Sequence, residues 1–122
     1  MKRTILVIED NEQNLYLVRF LLESHGFAVV EARDGTQGIQ LASRLRPDAI
    51  LLDIQLPVLD GYAVAAELRK DTALRDTPII AVTSYAMVGD REKALASGAT
   101  DYIEKPINPD TFVGQICRHL AE

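Results

Sequence analysis

Three acidic side chains, a hydroxyl and a lysine each stand at the end of a short apolar run in this chain. Glu9-Asp10 follows Thr4-Ile5-Leu6-Val7-Ile8, Asp53 follows Ala49-Ile50-Leu51-Leu52, Thr83 follows Pro78-Ile79-Ile80-Ala81-Val82, and Lys105 lies just beyond Thr100-Asp101-Tyr102-Ile103. If the runs are parallel strands of one sheet, all five groups share one rim although they are far apart in the chain. Three carboxylates within reach of one another repel by roughly 4 kcal/mol per close pair at an effective dielectric of about 20. A fold keeps such a cluster when a cation binds there or when the acids do chemistry. Oxygen donors suit a hard ion, and magnesium keeps several waters while using a few carboxylates plus phosphate oxygens. A carboxylate beside Mg2+ can attack an incoming phosphoryl group to give an acyl phosphate. A lysine then supports the charge on the transferring oxygens, and a strand-end hydroxyl can donate to the new phosphoryl oxygen.

Each group also has a plain structural reading. Asp10 followed by Gln13 resembles a capping box. Asp53 can merely cap a loop, Thr83 can be an ordinary strand-end hydroxyl, Lys105 a solvated lysine, and Tyr102 a ring packed on an edge strand. Other chemistries lack their signatures. There is no G-x-x-x-x-G-K-[ST] and no G-x-G-x-x-G after the first strand. Aspartate-based phosphatases and dehalogenases carry a second acid two residues after the nucleophile, where this chain has Gln55. His25 and His119 fall on helices, and no Ser–His or Cys–His pair is evident.

Five strands must position the rim, and the sequence alternates them with five helices. Strands are expected over 4–8, 27–32, 49–53, 78–82 and 100–103, from their apolar, often β-branched runs. The first helix shows Leu15, Val18, Leu21 and Leu22 at helical spacing and stops at His25-Gly26, where Gly26 can take the left-handed stop. Asp34-Gly35 opens the second, with Ile39, Ala42 and Leu45 facing inward. Asp60-Gly61 opens the third, with Val64, Ala65 and Leu68 on one face. The fourth, Asp90 to Ser97, offers only Ala94, Leu95 and Ala96, so its buried stripe is thin and it should shift most cheaply. Asn108 as cap and Pro109 at the first helical position start the fifth, with Phe112, Val113, Ile116 and Leu120 apolar.

Strict alternation of strand and helix means a parallel sheet covered on both faces by right-handed crossovers. That is an α/β, doubly wound, flavodoxin-like (βα)5 fold; in its 2-1-3-4-5 order the winding reverses between strands 1 and 3, where ligands bind beyond the strand ends. The length of 122 residues suits one domain, 1–122, and a hydrophobic share of 48% supplies a core. Cys117 stands alone, so no internal disulfide forms, which fits a reducing compartment. No apolar run approaches the roughly 20 residues of a membrane span, and Met1-Lys2-Arg3-Thr4 does not begin a signal peptide. The expected location is cytoplasmic. A net charge of −5 without a Lys/Arg cluster argues against direct nucleic-acid binding.

Glu9-Asp10-Asn11-x-x-Asn14, Asp53-Ile54-Gln55-Leu56-Pro57, Ala86-Met87-x-Gly89-Asp90 and Lys105-Pro106, with Thr83 between, occur in order over essentially the whole chain. This set resembles the receiver domain of two-component response regulators, and looks most like single-domain regulators and receivers attached to hybrid histidine kinases. The resemblance implies that Asp53 is the phosphoacceptor, charged by a histidine kinase or histidine phosphotransfer protein in a phosphorelay. It implies that Glu9, Asp10, Asp53 and the backbone carbonyl of Gln55 hold Mg2+, with Mn2+ able to substitute. Glu9 stands where many members have Asp. Thr83 and Tyr102 would be the switch pair, Lys105 would bind the phosphoryl group, and Lys105-Pro106 would be a cis peptide. Gln55 and the bulky Tyr85 would tune dephosphorylation, with slow loss of phosphate expected. The domain would be a signalling switch rather than an enzyme, assisting only its own phosphorylation and dephosphorylation. With no output domain after the fifth helix, signalling would run through protein contacts of the fourth helix, fifth strand and fifth helix, by a monomer or a phosphorylation-dependent dimer. The alternative is a phosphorylation-independent interaction module that kept the fold.

Overall fold

The computed structural model describes residues 2–56, 59–84 and 89–120. Its strands are β1 (Thr4–Ile8), β2 (Ala28–Ala32), β3 (Ala49–Asp53), β4 (Ile79–Thr83) and β5 (Asp101–Glu104). Its helices are α1 (Glu12–Ser24), α2 (Gly35–Leu45), α3 (Gly61–Lys70), α4 (Asp90–Ser97) and α5 (Phe112–Cys117), with a 3-10 turn at Thr72–Leu74. The strands pair in parallel, in the order β2-β1-β3-β4-β5. This is the expected doubly wound architecture. No helix among the described residues is long and apolar enough to cross a membrane.

Period-two alternation along the strands divides the core into two layers. Ile5, Val7, Leu51, Ile80 and Val82 pack under α1 and α5. Leu6, Ile8, Ile50, Leu52 and Ile79 pack under α2, α3 and the single buried residue of α4, Ala94. All five residues of β3 are buried, as the uninterrupted apolar run of a central parallel strand requires.

Side-chain caps start the first three helices. Asp34 accepts from the Gln37 N–H at 2.8 Å and Asp60 from the Ala63 N–H at 2.9 Å, as expected. The cap of α1 is Asn11, which accepts from the Asn14 N–H at 3.0 Å; the capping box from Asp10 to Gln13 does not form. Asp10 thereby stays available at the rim.

Two further expectations are corrected. Leu45 does not face inward: it is exposed, and the inner face of α2 is built from Gly35, Gly38 and Ala42, because Gly38 sits against Ile8 too closely for a side chain. Asn108 and Pro109 form a turn rather than the first turn of α5. The Asn108 side chain accepts from the Asp110 N–H at 2.9 Å, and its carbonyl accepts from Thr111 and Phe112. The helix proper begins at Phe112.

The two ends of α4 are held unequally. Its N-terminal Gly89, at φ 92°, supplies no side-chain cap. Its C-terminal Gly98, at φ 120°, has a carbonyl that accepts from Arg69 Nε at 2.7 Å. A Cβ on Gly98 would come within 2.6 Å of Arg69 Cγ, so glycine is required there twice over. Midway along the helix, Lys93 Nζ lies 4.4 Å from the centre of the Tyr62 ring of α3.

Candidate metal and phosphoryl site

Strand register alone brings the chemistry together. Ile8 pairs with Leu52, so Glu9 comes level with Asp53. Asp53 pairs with Val82, which sets Thr83 one residue further out, and Thr83 pairs with Glu104, which sets Lys105 beyond it. Glu9, Asp10 and Asp53 each offer a carboxylate oxygen within 4.8 Å of the others. Glu9 and Asp53 are buried and Asp10 is exposed, so two acids form the floor of the site and the third its mouth.

Lys105 Nζ lies 2.8 Å from Glu9 Oε1 and 3.7 Å from Asp53 Oδ2. The lysine is held by its own backbone, whose N–H donates to the Thr83 carbonyl at 2.7 Å, and the Lys105-Pro106 bond is cis. Burial pushes the Glu9 carboxyl above the usual carboxylate range. A hydrogen bond shared with Asp53 and the charge of Asp53 push it the same way, and Lys105 offsets them only in part. The pocket carries more negative charge than one lysine neutralises.

The loop after β3 is drawn tight by Gly61, whose N–H donates to the Ile54 carbonyl at 3.0 Å. A Cβ at Gly61 would lie 2.5 Å from Ile54 Cα and 2.7 Å from the Asp53 carbonyl oxygen, so only glycine permits this approach. The same loop presents the Gln55 N–H to Asp53 Oδ1 at 2.9 Å. Gln55 also reaches across to β4: its Nε2 donates to Thr83 Oγ1, and its Oε1 accepts from the Ser84 N–H at 2.9 Å. Thr83 is buried.

Tyr102 sits on the edge strand β5, half-buried against the α3 and α4 layer. Its hydroxyl is buried with no hydrogen-bond partner among the described residues. Burial, aided by Asp90, Glu104 and Tyr62, raises its pKa.

The register thus gathers Glu9, Asp10, Asp53, Gln55, Thr83 and Lys105, while Tyr102 stands one strand away from Asp53's neighbour β4. Tyr85 lies outside the described residues, as do Pro57, Ala86 and Met87. Sequence reasoning did not find the Gln55 side chain's grip on β4 or the close approach at Gly61. The Asp60-Gly61 pair signalled a helix start, and nothing local signals a contact 28 residues away.

The donor set fits a hard divalent cation: three carboxylates converge with one lysine beside them. The longer Glu9 side chain reaches the cluster.

Comparison with known proteins agrees with this geometry. A family model described as the response regulator receiver domain matches residues 5–116. Over 122 residues the chain is 41% identical to the polar-differentiation response regulator DivK of Brucella anthropi, covering 100% of this chain and 99% of that protein. The receiver domain of a sensor histidine kinase from Pseudomonas aeruginosa, solved with a magnesium ion coordinated in its active-site cleft, is 41% identical. It superposes with a TM-score of 0.89 over 97% of each chain. The Vibrio cholerae chemotaxis protein CheY4 is 28% identical, with a TM-score of 0.93 over 98% of this chain and 100% of that one.

Proposed function

The chain belongs to the response regulator receiver domain family, and from that premise we propose that Asp53 is its phosphoacceptor. The observation that carries the reading is the convergence of Glu9, Asp10 and Asp53 within 4.8 Å, with Lys105 Nζ 3.7 Å from Asp53. Glu9, Asp10, Asp53 and the main-chain carbonyl of Gln55 would hold Mg2+, with Mn2+ as a substitute. A bound divalent ion supplies neutralising charge to the phosphoryl oxygens.

The chain's own residues do the rest. An Asp53 carboxylate oxygen attacks the phosphorus of a phosphohistidine on a kinase or phosphotransfer protein. The P–N bond breaks, its electron pair stays on the imidazole, and an acyl phosphate forms. Lys105 turns from Glu9 toward the new phosphoryl group, whose about −1.5 to −2 charge it partly balances. Thr83 donates to a phosphoryl oxygen, and Tyr102 follows the space that Thr83 vacates. Return to the starting state is hydrolysis of the acyl phosphate, at a rate set by Gln55 and Tyr85, and slow because Tyr85 is bulky.

The signal leaves through α4, β5 and α5. A cavity of about 560 Å³ lies between them, lined by Arg91 and Glu92 of α4, Tyr102 and Glu104 of β5 and Gln115 of α5. A downstream protein reads the shape of this face. The phosphoryl group shifts that shape only by its differential affinity for the two arrangements.

Incubation with acetyl phosphate and Mg2+, followed by intact mass, tests the reading. One added phosphoryl group, lost in Asp53→Asn, is expected. No mass gain, or an unchanged gain in Asp53→Asn, refutes it and favours an interaction module that works without phosphorylation.

A further inference from the structure

Gln55 touches both ends of the proposed signal. Its main-chain N–H donates to Asp53 Oδ1 at 2.9 Å, while its side-chain amide engages the end of β4. The amide uses both of its ends there, Nε2 on Thr83 Oγ1 and Oε1 on the Ser84 N–H at 2.9 Å. Opposite ends of one planar group are therefore satisfied at adjacent residues, which fixes its orientation without ambiguity of flip. The contacts bridge 28 and 29 residues of chain. Thr83 is 2% exposed, so its hydroxyl travels toward Asp53 only by breaking this grip or by dragging the amide along.

We propose that the Gln55 carboxamide is a positioning strap that holds the end of β4 in the unphosphorylated arrangement, and that a phosphoryl group on Asp53 must draw Thr83 out of it. This deepens the phosphoacceptor reading and rests on it. The strap is distinct from the Gln55 carbonyl assigned to Mg2+, since any residue at position 55 retains that carbonyl. It is also distinct from control of phosphate lifetime, because it acts on the equilibrium between two arrangements. Two hydrogen bonds that exist in one arrangement alone raise the ligand concentration needed to reach the other.

Beryllium trifluoride, a phosphoryl mimic that is not hydrolysed, reads this equilibrium free of any change in phosphate loss. The full chain with Mg2+ is titrated with beryllium trifluoride, and the Ser84 amide is followed by nitrogen-15 NMR. Gln55→Met keeps the length of the side chain and removes both bonds, so half-saturation should fall about fivefold. In a Thr83→Val background, the same substitution should lower half-saturation by clearly less than fivefold, because only the Ser84 bond is then left to lose. In the unsubstituted chain, the Ser84 amide should exchange with solvent faster when the mimic is bound. Half-saturation that is equal or higher in Gln55→Met overturns the strap. So does a fivefold fall that persists in Thr83→Val, or a Ser84 amide that stays equally protected when the mimic is bound. Failure of the unsubstituted chain to respond to the mimic, or to gain mass from acetyl phosphate, overturns the phosphoacceptor reading instead.

Discussion

β3 and α4 stand at opposite extremes of restraint. β3 is five residues long with all five buried, packed on both faces and paired on both edges. α4 is eight residues long with one buried, and is bounded by a glycine at each end. Asp53 ends the first of these and the proposed read-out surface includes the second. Between them lies β4, whose terminal Thr83 is gripped from the β3 side by Gln55. Chemistry that needs carboxylates placed to a fraction of an ångström sits on the element that cannot move. A surface that must change shape uses the element whose displacement breaks least. Low local stability is what a switch requires of its moving part.

The unequal ends of α4 refine this picture. Arg69 donates to Gly98 at 2.7 Å, to the Leu74 and Thr77 carbonyls at 2.8 Å and to Thr100 Oγ1 at 3.1 Å. One guanidinium therefore joins the C-terminal end of α4 to α3, the 3-10 turn and the start of β5. The opposite end, beside Thr83 and Tyr102 in the chain's topology, has no side-chain cap. A displacement of α4 is therefore expected to pivot about its C-terminal end, the one that Arg69 holds.

The largest effect should come from the rigid half. Leu52 is fully buried between β3 and the helices that cover it. Leu52→Ala should cost about 2–5 kcal/mol of global stability, read as a drop in the urea midpoint at constant slope. A loss below 1 kcal/mol would remove β3 as the stiff reference of the comparison.

Arg69→Met should cost less, about 1–3 kcal/mol, because it removes the guanidinium donor from the Gly98, Leu74 and Thr77 carbonyls. Its signature is local: amides of α4 should exchange faster relative to those of β3. If both regions change in step, the pivot is not anchored at Arg69.

The smallest effect concerns pH and the edge of the read-out surface. Asp101 opens β5 and lies 2.7 Å from His119 Nε2, with Arg91 and Arg118 at 3.9 Å. Burial pushes the Asp101 carboxyl up, but hydrogen bonds from His119 and the Tyr102 N–H, with the charges of His119 and Arg91, more than offset it and hold it below its ordinary value. A carboxyl lowered by folding stabilises the protein above its unfolded-state pKa, about 3.9, and loses that contribution as pH falls through the folded value. Asp101→Asn should therefore lower the urea midpoint at pH 7, and the gap from the unsubstituted chain should close as pH drops below 4. A gap that is constant with pH would assign the effect to packing instead of charge.

Much of this was legible in the chain. Each strand is a local apolar run, each crossover helix has a local stripe, and the Asp34 and Asp60 caps are read from neighbours a few residues away. Helix α4 declared its weakness by having only Ala94, Leu95 and Ala96 to bury, and Ala94 alone is buried. The places where the fold departs from local pattern are equally physical. Asp10 and Asn11 are both good caps, and Asn11 is the one whose side chain accepts from the first turn of α1. Leu45 has the right spacing for the core but is exposed, and Ala42 is the last residue of α2 to be buried.

By itself, then, the sequence determined which elements form and which residue types stand at their ends, because those depend on interactions within a few residues. Tertiary structure alone decided that Glu9 is buried while Asp10 is exposed, that Gln55 holds Thr83 and Ser84, and that Arg69 holds Gly98. The first follows from the register between β1 and β3, and the others from pairings 28 to 29 residues apart. Such contacts exist only after separate segments have been packed side by side, and no local pattern encodes their partners.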